Sequence, residues 1–297
     1  RSSDLDEHPE HTGFAHLFEH LMFGGSAHIP DYDTPLQLAG GENNAWTNND
    51  ITNYYLTVPK PNVETAFWLE SDRMLELAFS EQSLEVQRGL AMEEFKQRCL
   101  KKPYGDVGHL FRPLAFRVHP YRWPTIGKEL SHIEQATLDE VKSFFYRFYA
   151  PNNAVLAVTG NISWDETVKL TEKWFAPIPR RDVPVRQLPQ EPEQTQERRL
   201  TVERNVPLDA LFMGYHMCSR EGADYYAFDI LSDILSNGRS SRLNRRLVQE
   251  QNIFSGIDAY ISGTRDAGLL QISGKPAAGV SLEQAEAAVR KELEELQ

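Results

Sequence analysis

The chain has 297 residues, 40% of them hydrophobic and 25% charged, an ordinary globular composition whose length suggests about two domains. A formal net charge of -12, from 31 Lys+Arg against 43 Asp+Glu, makes the surface acidic and argues against nucleic acid or an anionic membrane as partner. No stretch approaches the roughly 18 apolar residues of a membrane span, and Cys99 and Cys218 are too few and too far apart for a disulfide framework or a cysteine zinc site.

In chain order, hydrophobic periodicity predicts helices at about 12–23, 61–78, 81–101, 137–149 and 164–175, and strands at about 44–49, 51–58 and 153–160. Pro177, Pro179, Pro184, Pro189 and Pro192 then mark an extended linker. Beyond it the pattern restarts: strands near 200–205 and 209–217, helices near 223–236 and 240–251, strands near 254–263 and 267–274, and a last helix from Leu282. The expected organisation is a first domain at 1–178, a linker at 179–198 and a second domain at 199–297. The chain opens almost on its strongest motif and stops inside a charged helical run, so both ends are expected to be incomplete.

That motif lies in the first helix. Phe14, Leu17, Phe18 and Leu21 fall at i, i+3, i+4 and i+7, with Thr12 the expected N-cap and Gly24-Gly25 the expected stop. His16 and His20 then share a face opposite the apolar stripe, one turn apart, close enough for two imidazoles to bind one Zn²⁺, with Glu19 beside them. The order His16-x-x-Glu19-His20 is the inverted zincin arrangement. Zinc needs a third ligand and an open position. The helix at 81–101 carries an apolar stripe of Leu84, Ala91, Phe95 and Cys99; Glu94 lies at the edge of that stripe and Glu93 well round from it, so Glu94 is the better ligand and Glu93 the better solvent residue. Zinc is read from the ligand types, which would also accept Mn²⁺ or Co²⁺. The other histidines lack partner spacing and read as surface or hydrogen-bonded residues.

Phe14 to Ser26 resembles the zinc-binding helix of the pitrilysin/insulinase family of metallopeptidases. Three further segments agree: Glu42 to Thr47 with Thr52 to Tyr55, like the family's N-A-x-T edge strand and its neighbour; Gln87 to Glu94, like its second-carboxylate helix; and His119 to Gly127, like its H-P-Y-x-x-P-x-I-G loop. The likeness covers essentially the whole chain. It implies an α+β fold of two related α/β sandwich domains, each a mixed or antiparallel sheet covered by helices. Together they would make one half of a peptidase clamshell, the second domain carrying no metal and being incomplete.

The resemblance implies a zinc-dependent endopeptidase for extended or unfolded peptides. One Zn²⁺ per chain would sit on His16, His20 and Glu94, with Glu19 as the base that activates the water. Asn44 and Ala45, on the edge strand, would contact the substrate backbone. Two departures stand out. Gln87 replaces a glutamate common in the family seven residues before the ligand, a change that keeps a hydrogen-bonding group behind the metal but removes a charge. The family's substrate-gripping Arg and Tyr would fall on Leu247 and Phe254, so a homodimeric or heterodimeric partner is expected to supply them, unless Arg246 serves after a one-residue shift. The aromatic and arginine residues at 111–123 read as a loop packed onto the first domain. The alternative is a non-catalytic or processing-type scaffold subunit of the same fold. The compartment is not legible; the resemblance leaves a bacterial periplasm or cell envelope open.

Overall fold

The computed structural model describes residues 3–296; Arg1 and Ser2, which begin the first expected domain, and Gln297, which ends the second, lie outside the described residues. Residues up to Thr195 form one unit and those from Gln196 a second.

The first unit is built on α1 (Phe14–Leu21), α2 (Asp33–Leu38), β1 (Glu42–Thr47), β2 (Thr52–Thr57), α3 (Val63–Leu75), α4 (Glu81–Phe95), α5 (Val107–Ala115), α6 (Leu130–Glu134), α7 (Leu138–Phe148) and α8 (Trp164–Phe175). The four apolar residues of α1 are all buried and pack with Leu84, Ala91, Phe95 and Cys99 of α4 and its continuation, and with Val141, Phe144, Phe145 and Phe148 of α7. Held between two partners, a helix of 8 residues needs no length of its own to be stable. The flanking helices are locally well started: Ser80 accepts from Ser83 N–H at the head of α4, and Thr137 with Glu140 forms a capping box on α7.

Thr12 is not the cap of α1. The capping position is Gly13, left-handed at φ 85°, where an added Cβ would meet the Ile126 carbonyl oxygen at 2.9 Å. The Thr12 hydroxyl instead accepts from Lys128 N–H (2.8 Å), and the first-turn donors of the helix go to Glu7, whose carboxylate accepts Gly13 N–H (3.0 Å) and Ala15 N–H (2.9 Å). The amino end of the helix therefore rests on a side chain from another segment.

β1 and β2 form an antiparallel pair, Ala45 opposite Tyr54 and Thr47 opposite Thr52. Among the described residues β1 pairs with β2 alone, which leaves its outer edge open. The strand expected at 153–160 is not formed: Val155 and Leu156 are exposed and, among the described residues, no strand pairs with this segment, so β-prone composition alone does not make a ladder. The proline-bearing stretch after 178 carries no helix or strand and is fixed to the first unit by hydrogen bonds. Arg181 donates to the Leu75 carbonyl (2.8 Å), Arg186 pairs with Asp6 (2.6 Å), and Glu191 accepts the successive N–H groups of Arg117, Val118 and His119 (2.7 to 2.9 Å).

The second unit holds β3 (Leu211–His216), α9 (Tyr225–Ser236), β4 (Phe254–Ile261), β5 (Leu269–Pro276) and α10 (Leu282–Glu294), the strands ordered β3-β5-β4 and wholly antiparallel. The expected strand at 200–205 is not formed, and the expected helix at 240–251 winds as a π-helix over Asn244–Glu250. The core is Leu235, Leu243, Leu247, Phe254, Ile257, Ala259, Ile272, Ala285 and Val289. The fold is thus α+β with small antiparallel sheets. No helix among the described residues is long and apolar enough to cross a membrane.

Candidate metal centre

Helices α1 and α4 bring three side chains to one point. With its stripe turned into the core, α1 directs His16 and His20 towards α4, and Glu94 meets both: Oε2 lies 3.3 Å from His16 Nε2 and 3.2 Å from His20 Nε2. One ligand atom from each of the three lies within 4.8 Å of the other two. Zinc bonds of about 2.0–2.1 Å arranged tetrahedrally put neighbouring ligand atoms about 3.3 Å apart. The spacing observed fits that figure, and two imidazoles with one carboxylate are donors zinc accepts. The His16 ring is buried and its Nδ1 meets no hydrogen-bond partner, so Nε2 is the nitrogen the fold directs at the shared point.

The hydrogen bonds from His16 and His20, aided by Arg98 at 2.8 Å from Oε1, hold the Glu94 carboxyl well below the usual carboxylate range. Glu94 is ionised there at any ordinary pH. Glu93, one residue earlier, is exposed and pairs with Lys101 and Gln97. Directly after Phe95 the helix widens into a π-helical segment, Lys96–Lys101, which keeps Cys99 buried.

Glu19 is partly exposed on the same face as the histidines, and Thr47, the last residue of β1, donates its hydroxyl to Glu19 Oε2 at 2.6 Å. Thr47 thereby fixes the acid against the end of the open strand. Asn44 is exposed on β1 and its Oδ1 accepts Ala45 N–H at 2.8 Å, so that backbone donor points away from β2. Gln87 lies two turns before Glu94 on α4, its Cγ 3.5 Å from where a Cβ on Gly24 would sit; no hydrogen bond from it to His16, His20 or Glu94 is formed. In the second unit Leu247 and Phe254 are fully buried in the core, and Arg246 is taken up by Glu292 of α10 (3.2 Å) and by Glu295 at that helix's C-cap. Arg246 is therefore no free substitute for a substrate grip.

Sequence reasoning missed three partners. Arg98 is one helical turn beyond Glu94, a spacing that would have revealed it. Thr47 was visible only as part of the edge-strand motif. Glu7 had no signal at all, since its role depends on the chain folding back over the head of α1.

Residues 4–106 match the family described as insulinase, peptidase family M16, and residues 135–297, more than half of the chain, match the M16 inactive domain. The chain belongs to peptidase family M16. His16, Glu19, His20 and Glu94 all lie within the insulinase match and none within the inactive-domain match. The zinc protease PqqE of Helicobacter pylori is 30% identical over 249 residues, covering 82% of this chain and 56% of that protein. A solved protease from Helicobacter pylori superposes with a TM-score of 0.91 at 27% identity, over 99% of this chain and 72% of that one. The first half of the periplasmic protease PqqL from Escherichia coli shares the fold, with a TM-score of 0.73 at 21% identity over 98% of this chain and 65% of that one. The chain spans 56% to 64% of the length of the curated relatives PqqE and YmxG.

Proposed function

We propose that this M16 chain is the metal-carrying part of a zinc-dependent endopeptidase that hydrolyses extended or unfolded peptides, with one Zn²⁺ on His16, His20 and Glu94. The observation that carries this reading is the convergence of those three donors beside an acid, Glu19, tied to an open strand edge. A divalent ion held there supplies Lewis acidity, which lowers the pKa of water and polarises a carbonyl.

Glu19 stands as the general base: it takes the proton from the attacking water and returns it to the leaving amine. Thr47 holds Glu19 in place for both transfers. The peptide lies extended along β1, where main-chain pairing accepts any sequence. Ala45 N–H is the donor offered to its backbone, and Asn44 Oδ1, which covers that donor, swings aside to contact the incoming chain. Because Leu247 and Phe254 are core residues and Arg246 is paired, a second, related subunit supplies the Arg and Tyr that grip the substrate.

Native mass measurement of the assembly with metal analysis, alongside cleavage of a quenched peptide with and without chelator, tests the whole reading. The expected result is one zinc per chain, a dimer, and chelator-sensitive cleavage. Glu19→Gln keeps shape and hydrogen bonding, so it should bind zinc as before and lose about 10²–10⁴-fold in turnover. A metal-free, inert protein would instead favour the scaffold reading, and near wild-type cleavage by the Gln variant would remove Glu19 from its role.

A further inference from the structure

A continuous run of polar contacts joins the loop His119 to Gly127 to the strand end beside Glu19. At the tip of the β1–β2 hairpin, Asn48 Oδ1 accepts the N–H groups of Asp50 (2.9 Å) and Ile51 (3.0 Å), which rounds the turn. The two residues at its apex then reach outward. Tyr121, 2% exposed and so with almost no freedom of its own, donates its hydroxyl to Asp50 Oδ1. Asn49 donates to Asp4 Oδ2 (2.7 Å) and accepts from Arg112 at 3.3 and 3.4 Å. Arg112 also donates to the Tyr121 carbonyl (3.2 Å), and Thr125 donates to Asp4 (2.8 Å). Asp4 precedes Glu7, the residue that caps α1 through Gly13 and Ala15.

The hairpin is thus held twice at the tip end of β1. Thr47, the last residue of the strand, binds Glu19; just beyond it the tip is pinned to a buried tyrosine and, through Asn49 and the 4–7 segment, to the start of the same helix. Two strands alone make a weak sheet, free to twist and slide unless packed or tethered. Here the tether comes from the 119–127 loop.

We infer that Tyr121, acting through Asp50, is a positioning residue for peptide hydrolysis: it sets the register of β1 against α1 and hence where a paired peptide lies relative to Glu19. This deepens the peptidase reading and rests on it. The tether itself is a property of the chain that is measurable without turnover.

The test compares Tyr121→Phe, Asp50→Ala, their double variant and Asp50→Asn, the last of which keeps an acceptor for the tyrosine hydroxyl. By hydrogen exchange, the two single variants and the double should exchange several-fold faster across Glu42–Thr57 with α1 unchanged, and Asp50→Asn should match wild type. For a quenched peptide long enough to run the length of β1, KM should rise roughly three- to ten-fold in either single variant, with no further rise in the double and with kcat and zinc content held. A purely structural bond would lower stability and kcat and leave KM alone, and that outcome, or unchanged hairpin exchange, or an Asp50→Asn variant as impaired as Asp50→Ala, overturns the inference. A wild-type chain that binds no zinc and cleaves nothing sinks the peptidase reading; the exchange result then decides the tether by itself.

Discussion

Each unit contains a partly buried cluster of charged and polar side chains, and the two are built to opposite rules. In the second unit Glu292, 2% exposed, meets Arg242 at 2.9 Å and Arg246 at 3.2 Å, and both arginines also reach Glu295. Two cations face two anions, every charge is answered, and nothing in the group calls for a further ion. In the first unit two imidazole nitrogens meet one oxygen of a carboxylate at one point, and Arg98 sits on the other carboxylate oxygen. There one carboxylate oxygen is met only by two imidazole nitrogens, groups that a divalent ion would also bind. Burial and ion pairing alone do not mark a functional site; what separates these clusters is whether the carboxylates are met by guanidinium groups alone or by imidazoles able to bind a metal.

The sharpest way to break the comparison is to change one carboxylate in each. Glu94→Gln removes the sole anionic donor while keeping its shape. Losing an outer partner of a metal ligand costs about 10–100-fold in affinity, so losing a ligand should cost more. Metal titration should show zinc binding weakened beyond that range and cleavage lost with it. Retention of tight zinc by the variant would take Glu94 out of the site.

Glu292→Gln makes the complementary test. It leaves two arginines facing one exposed partner and one neutral amide, and breaking a buried ion pair typically costs about 3–5 kcal/mol. Both arginines keep a route to solvent and Arg246 keeps Glu295, which places the expected loss at about 3 kcal/mol, seen by calorimetry as a lower melting temperature of the second unit. Zinc content should not change. A variant with lowered zinc and unaltered melting would reverse the roles assigned to the two clusters.

The same contrast explains what could be read in advance. Phe14, Leu17, Phe18 and Leu21 announce α1 because a helix packed on both sides writes its stripe into the sequence, and the stripe of α4 separates Glu94 from Glu93 for the same reason. Features decided by distant partners leave no such trace. Val155 and Leu156 have the composition of a strand, but a ladder needs a neighbour that composition cannot specify. Thr12 has the chemistry of a cap, yet close approach of the Ile126 carbonyl demands glycine at the next position, and Glu7 takes the donors. The short helices α2 and α6, with 6 and 5 residues, are too brief to show a period above their loops, and α5, at 9 residues, carries Pro113 in its interior, a residue that reads as a break.

The smallest effect expected comes from the tie between the N-terminal segment and the hairpin. Burial pushes the Asp4 carboxyl up to about 7, against the lowering pull of Thr125, Arg112 and Asn49, and burial with Asp4 as neighbour pushes Glu7 well above the usual range. In the folded chain Asp4 therefore keeps its proton through a span of pH where the unfolded chain has lost it. The folded state binds more protons there, so its stability is full below about pH 4, declines as pH rises, and the contribution is gone once pH passes about 7. Asp4→Asn copies the protonated form: one oxygen still accepts from Asn49 and Thr125, which share Oδ2, and the other position has no partner in either case. The variant should match wild type near pH 4 and exceed it at pH 8 by on the order of 1 kcal/mol, a modest figure because Glu7 continues to titrate beside it. Melting curves of the two proteins that stay parallel from pH 4 to 8 would show that Asp4 is ionised in the fold throughout, and that the hairpin tip is held by a salt-bridged carboxylate to Arg112 and not by a neutral acid.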